Sequence, residues 1–143
     1  MQTYLNRPLR DFLDDTSSHT PTPGGGSVAA LAGALGAALL CMVANFTLGK
    51  KKYKKVEEDV KEILREAEDI KAKLGIIIQQ DIESYQRLSQ AMRMSRDDSL
   101  KKEDQTKILE KSLKEASEVP LRVAQLSFQL IKLGQIATQY VDF

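Results

Sequence analysis

An acidic residue interrupts the most regular apolar pattern in the chain. Val56, Val60, Ile63, Ala67, Ile70, Leu74 and Ile77 alternate in steps of four and three, and the same stepping continues through Asp81, Ser84 and Leu88. Such spacing predicts one long two-faced helix, heptad-like and reaching about Arg93, with Asp81 on its apolar seam. A carboxylate buried there without a partner costs on the order of several kcal/mol, so a partner is expected. In that setting it can act as a general base or as a recognition group for a ring with two N–H donors. It can equally be a structural contact that fixes helix register. Tyr85, one turn further along the same face, is placed to orient either version or to serve as a core aromatic.

Two other stretches carry chemical possibilities. "PTPGGGS" puts Gly25, Gly26 and Ser27 at the start of an apolar helix, where free N–H groups and the positive end of the helix dipole suit an anion or a carbonyl oxygen. It lacks the Gly-Lys-Ser/Thr ending of a phosphate loop, and no strand precedes it. A plain helix start capped by Ser27 is the competing reading. "GKKKYKK" places Lys50, Lys51, Lys52, Lys54 and Lys55 around Tyr53. This is either a solvated connection between helices or a local site for carboxylates or phosphates of a small ligand.

Metal and thiol chemistry find little material. With one cysteine, Cys41, and one histidine, His19, no Cys/His zinc cluster can be assembled, and no disulfide can form within the chain. Cys41 lies in the apolar run and reads as a small packing residue in a reducing compartment. Lys and Arg number 21 against 20 Asp and Glu, so no global field draws the chain to nucleic acid or a membrane surface. The first residues do not form a signal peptide.

The elements that must position these residues are all helical. Leu5, Leu9, Phe12 and Leu13 give a short first helix, ended by "DDTSSHTPTPGGGS". Residues 28–48 are apolar almost all round and rich in Ala and Gly. At about 1.5 Å per residue they reach about 30 Å, which suits either a bilayer span or a helix buried on nearly all sides. After the long helix, residues 95–105 read as a polar turn. Ile108, Leu109, Leu113, Ala116 and Val119 resume helical spacing, Pro120 breaks or kinks the helix or opens another, and residues 121–141 are again helical. The expectation is an all-α bundle of about five helices, with residues 1–143 as one domain.

With these residues assembled, "TPTPGGGSVAALAGALGAALLCMVANFTLGKKKY" resembles the opening of the cyclodeaminase/cyclohydrolase family of folate enzymes. "DIESYQRL" is similar to that family's Asp-x-x-Ala-(Tyr/Phe) segment, with Ser84 in place of alanine, and "ASEVPLRVA" to its Ala-x-x-Val-Pro junction. The resemblance implies an all-helical cytoplasmic enzyme that forms a homodimer or higher homo-oligomer. It implies a tetrahydrofolate derivative as substrate, with no metal or covalent cofactor and no nucleic-acid or membrane partner. The apolar helix then becomes a core or interface helix. Family members usually continue with an Asn-rich turn, a Ser-Asp pair and another Ala-rich helix. Nothing after "IATQYVDF" supplies these, so the domain reads as shortened at its C-terminus.

The implied reactions are closure of 5-formiminotetrahydrofolate to 5,10-methenyltetrahydrofolate with loss of ammonia, or hydrolysis of the methenyl compound to 10-formyltetrahydrofolate. Both pass through a tetrahedral carbon between N5 and N10, and need one proton acceptor and one donor. The resemblance casts Asp81 as base or pterin anchor and one of Lys50, Lys51 and Lys52 as donor. The other lysines, with Lys54, then meet the glutamate tail. Gly25, Gly26 and Ser27 contact the ligand, bordered by Tyr53 and Tyr85. A non-enzymatic helical module that dimerises or binds folate is the alternative.

Overall fold

A computed structural model of the chain describes residues 3–96 and 101–140. The described residues form a 3-10 turn at Tyr4–Asn6, α1 (Leu9–Thr16), α2 (Gly25–Thr47), a 3-10 segment at Lys51–Val56, α3 (Glu57–Met94) and α4 (Lys102–Ala137). No strand occurs among them, and the class is all-α as expected. Four α-helices replace the expected five, because α4 runs through Pro120 without a break. A proline inside a helix removes one hydrogen bond and costs about 3 kcal/mol. Here buried Val119 and Val123 flank it, and their packing holds the helix together on both sides. Of the predicted turn over 95–105, residues 97–100 lie outside the described residues, and α4 has already begun at Lys102.

The chain divides into two compact units. The first comprises Met1–Val28 and Ile77–Arg122. In it the Tyr4 ring meets Phe12 edge-on at 5.3 Å, and the Arg7 guanidinium lies 4.7 Å from the Tyr4 ring centre. The Tyr4 hydroxyl donates to Asp15 at 2.7 Å, pinning the N-terminal turn to α1. Ile77, Ile78, Ile82, Ser84 and Ala91 bury one stripe of α3. Arg122 of α4 donates to the Gln80 side chain of α3 at 3.1 Å.

The second unit comprises Ala29–Ile76 and Val123–Phe143. Its core joins Ala30, Ala37, Cys41 and Ala44 of α2, Val60, Ile63, Ala67, Ile70 and Leu74 of α3, and Val123, Leu133 and Ala137 of α4. Small residues on α2 let its neighbours come close. A Cβ at Gly33 would stand 3.0 Å from a Leu74 methyl and 3.4 Å from the Ser127 hydroxyl. Gly49, at φ +76°, ends α2 in the left-handed conformation that favours glycine. Burial pushes the Cys41 thiol up from its ordinary pKa, and the neighbouring Glu68 carboxylate adds to the effect. Cys41 is therefore the inert packing residue that its position suggested.

The expectation that α2 is buried on nearly all sides is corrected. It buries one stripe and leaves Val28, Leu35, Leu39, Met42 and Phe46 exposed, from 41% to 65%. The seam of α3 carries its expected pattern, and Glu57, Glu58 and Asp59 in its first turn complement the helix dipole.

Candidate functional site

In the first unit, the start of α2 meets α3 at Asp81. Gly24 accepts the first helical bond from Val28 at 3.1 Å, which places Gly25, Gly26 and Ser27 in the opening turn. A helix leaves its first N–H groups without partners. At Ser27 that need is met from another helix: its N–H donates to Asp81 Oδ2 at 2.8 Å. The Ser27 hydroxyl lies 2.8 Å from the same oxygen and 3.1 Å from the Ile78 carbonyl. Ser27 is fully buried, whereas Asp81 is half-buried. Oδ2 is thus held by donors, and its orientation is fixed by the α2 backbone.

Gly26 makes that approach possible. A Cβ at position 26 would stand 2.1 Å from Asp81 Oδ1 and 2.6 Å from its Cγ, far inside contact distance. The glycine is there so that a carboxylate can lie flat against the helix start. No such neighbour lies within 4 Å of a Cβ at Gly25. Ser27 and Gly26, expected to touch a ligand, both adjoin Asp81.

Tyr85 is 43% exposed and does not belong to the packed seam. It lines a groove of about 550 Å³ with Thr20, Pro21 and Thr22 on one wall and Gln86, Ser89, Gln90 and Arg93 on the other. Those neighbours escaped the sequence reading. The signal that could have found them is the spacing Asp81, Tyr85, Ser89 and Arg93, four residues apart and each bearing a polar group.

The lysines belong to the second unit. Lys50, Lys51, Lys52 and Lys54 are exposed and Tyr53 is half-buried. The Lys52 ammonium lies 5.2 Å from the Tyr53 ring centre, and Lys51–Val56 is a 3-10 segment following Gly49. In chain order, the glycine turn opens α2 and the lysine run follows its end.

A carboxylate held through one oxygen, one helical turn from the Tyr85 that lines the groove, can accept a proton or pair with N–H donors on a ring. Proteins named for folate chemistry are similar to this chain in sequence. A methenyltetrahydrofolate cyclohydrolase of Methylorubrum extorquens is 37% identical over 134 residues, covering 94% of this chain and 64% of the relative. A formimidoyltransferase-cyclodeaminase of Sus scrofa is 31% identical over 124 residues, covering 87% of this chain and 23% of the relative. This chain thus spans less than two thirds of the length of either. The crystal structure of formiminotetrahydrofolate cyclodeaminase from Thermotoga maritima superposes with a TM-score of 0.69 at 26% identity, covering 94% of this chain and 78% of that one. The family profile described as Formiminotransferase-cyclodeaminase matches residues 8–142, nearly the whole sequence, and the chain belongs to that family.

Proposed function

We propose that this protein opens or closes the one-carbon bridge between N5 and N10 of tetrahydrofolate. The first reading is hydrolysis of 5,10-methenyltetrahydrofolate to 10-formyltetrahydrofolate, favoured by the 37% identity to a cyclohydrolase. The second is cyclodeamination of 5-formiminotetrahydrofolate, favoured by the fold shared with a cyclodeaminase. The observation that carries both is the Asp81 carboxylate, held through Oδ2 by Ser27 and seated against Gly26.

In hydrolysis, water adds to the methenyl carbon while Asp81 takes its proton, and the C–N5 bond of the tetrahedral adduct then breaks as N5 receives a proton and the adduct hydroxyl gives its own to solvent, leaving the formyl C=O. In cyclodeamination, N10 attacks the formimino carbon, Asp81 removes the N10 proton, and the departing nitrogen is protonated to leave as ammonia. Lys51 or Lys52 is the donor in each case. Lys50, Tyr53 and Lys54 flank that donor, and Gly25 offers backbone N–H at the edge of the site. Most of the remaining acceleration comes from holding the two reacting centres in place. Proton transfer suffices for both steps, and the proposal includes no metal and no covalent cofactor.

The working unit is proposed to be a homodimer in the cytoplasm, without nucleic-acid or membrane partners. The glycine turn with Asp81 belongs to the first unit and the lysine run to the second. A second copy brings the lysines of one chain to the Asp81 of the other. Residues 1–143 are proposed as one domain of this assembly. The alternative is a folate-binding or dimerising helical module without turnover.

The test is spectrophotometric. Loss of the 5,10-methenyltetrahydrofolate band above the uncatalysed rate identifies a cyclohydrolase. A rise of that band from 5-formiminotetrahydrofolate identifies a cyclodeaminase. Silence in both from a folded oligomer leaves the module.

A further inference from the structure

The groove lined by Tyr85, one turn along α3 from Asp81, has a chemical direction. Thr20, Thr22, Tyr85, Gln86 and Gln90 line it with neutral groups, and Arg93 is its one charged side chain. Arg93 has no carboxylate partner among the described residues, although ion pairs are frequent elsewhere on α3. From Asp81 to Arg93 is twelve residues of continuous α-helix, about 18 Å along the axis. The path winds about 120° round the helix, through Tyr85 and Ser89.

We infer that this groove is the seat of the benzoyl-glutamate half of the substrate, and that Arg93 binds a glutamate carboxylate. The inference rests on the proposed folate reading and gives its ligand an orientation. A carboxylate at Asp81 matches the N–H-rich edge of a pterin and would repel a glutamate. A guanidinium at the far end matches a carboxylate in the two-pronged manner that arginine favours. Between them, the Tyr85 ring and Pro21 offer apolar faces to the aminobenzoyl ring, and the glutamines and threonines offer donors and acceptors to its amide. The rotatable bonds of the benzoyl-glutamate allow the bend round α3. This moves the glutamate tail from the lysine run, where the family resemblance had placed it, to the same unit as Asp81. The lysines are then left for proton transfer.

The experiment compares wild type with Arg93→Gln on two ligand pairs. The first pair is 5,10-methenyltetrahydrofolate and the corresponding tetrahydropteroate, which lacks the glutamate, and KM and kcat are measured for each. The second is 5-formyltetrahydrofolate and its pteroate counterpart, with Kd measured by equilibrium dialysis. Arg93→Gln should weaken the glutamate-bearing ligands by about 10- to 100-fold in KM and Kd while kcat stays within about twofold. It should leave the pteroates unchanged, and Arg93→Lys should recover part of the loss. Arg87→Gln, an exposed change on α3 away from the groove, should match wild type throughout.

Turnover with KM and Kd indifferent to Arg93, or an equal loss on both ligand types, overturns the inference and leaves the folate reading standing. Glutamate-dependent binding that needs Arg93 but shows no turnover upholds the subsite and removes the enzymatic reading. Absence of both binding and turnover in wild type overturns both.

Discussion

Replacing Gly26 with alanine should destabilise the protein, although the same change one residue earlier should stabilise it. Alanine is favoured over glycine by up to about 1 kcal/mol inside a helix, and less in the first turn. At Gly25 that gain is unopposed, because no atom lies within 4 Å of the new Cβ. At Gly26 the methyl would sit 2.1 Å from Asp81 Oδ1 and 2.9 Å from Oδ2. The carboxylate has to retreat by more than about 1 Å to reach ordinary contact. The two Ser27 bonds, both 2.8 Å, then stretch beyond useful length.

A hydrogen bond to a charged group contributes roughly 1.5–3 kcal/mol. The hydroxyl keeps an alternative acceptor at 3.1 Å in the Ile78 carbonyl, so the N–H bond is the main loss. Set against the helix gain, Gly26→Ala should cost about 1–2 kcal/mol net. Chemical denaturation followed by circular dichroism reads this as opposite shifts in midpoint for the two alanine variants. Turnover should drop about 100-fold in Gly26→Ala, since a base displaced by about 1 Å loses its alignment. Equal stabilisation by both variants would refute the close packing of Asp81 against α2, and with it the reason given for the glycine.

Asp81→Asn should lower kcat by about 10²–10⁴-fold with helicity intact, and near-normal turnover would remove Asp81 from the mechanism. Phe46→Glu should leave the helical content of the monomer unchanged while shifting the mass measured by light scattering from dimer to monomer, because Phe46 is 65% exposed in the single chain. Cys41 should be alkylated slowly in the native protein. Its raised pKa keeps the neutral thiol to higher pH than in the urea-unfolded chain, so the alkylation rate should rise at higher pH in the folded form. By the same sign, the stability that comes from the neutral thiol is full below the unfolded pKa, about 8.5, and is lost as pH rises through the raised folded value.

Periodicity made α3 legible before any coordinates. Its alternating steps named the buried face, and the break in that face named Asp81. What could not be read locally was the partner. Ser27 looked like a cap for its own helix, yet its hydroxyl turns to α3, 51 and 54 residues away. Hydrogen bonds of that span leave no trace in neighbouring residues. Pro120 misled for a related reason: the local rule against proline is sound, but buried Val119 and Val123 outweigh it. The groove residues carry ordinary polar side chains, and only the placement of the loop at residues 20–22 makes a wall of them.

The apolar helix shows how composition can hide a division of labour. Every position from Ser27 to Leu48 is uncharged, so no period marks an inner and an outer face. Every buried residue among them is small. Ser27, Ala30, Ala37, Cys41, Ala44 and Thr47 turn inward, while Leu35, Leu39, Met42 and Phe46 turn outward. A lone helix in water gains by the reverse arrangement, because burying a leucine side chain contributes roughly 1.5–3 kcal/mol and an alanine far less. Small residues inside let α3 and α4 approach closely in the second unit. Large ones outside, at successive steps of four, three and four, form a seam of the kind that packs against another helix. A bilayer would accept the outer face equally well by length and composition alone. Asn45 adjoins Phe46 and five lysines follow within the next ten positions, so the apolar face ends in a polar, charged stretch. In the proposed homodimer, a second copy supplies an apolar surface for that face, and its lysines are the proposed proton donors for the Asp81 end of the first.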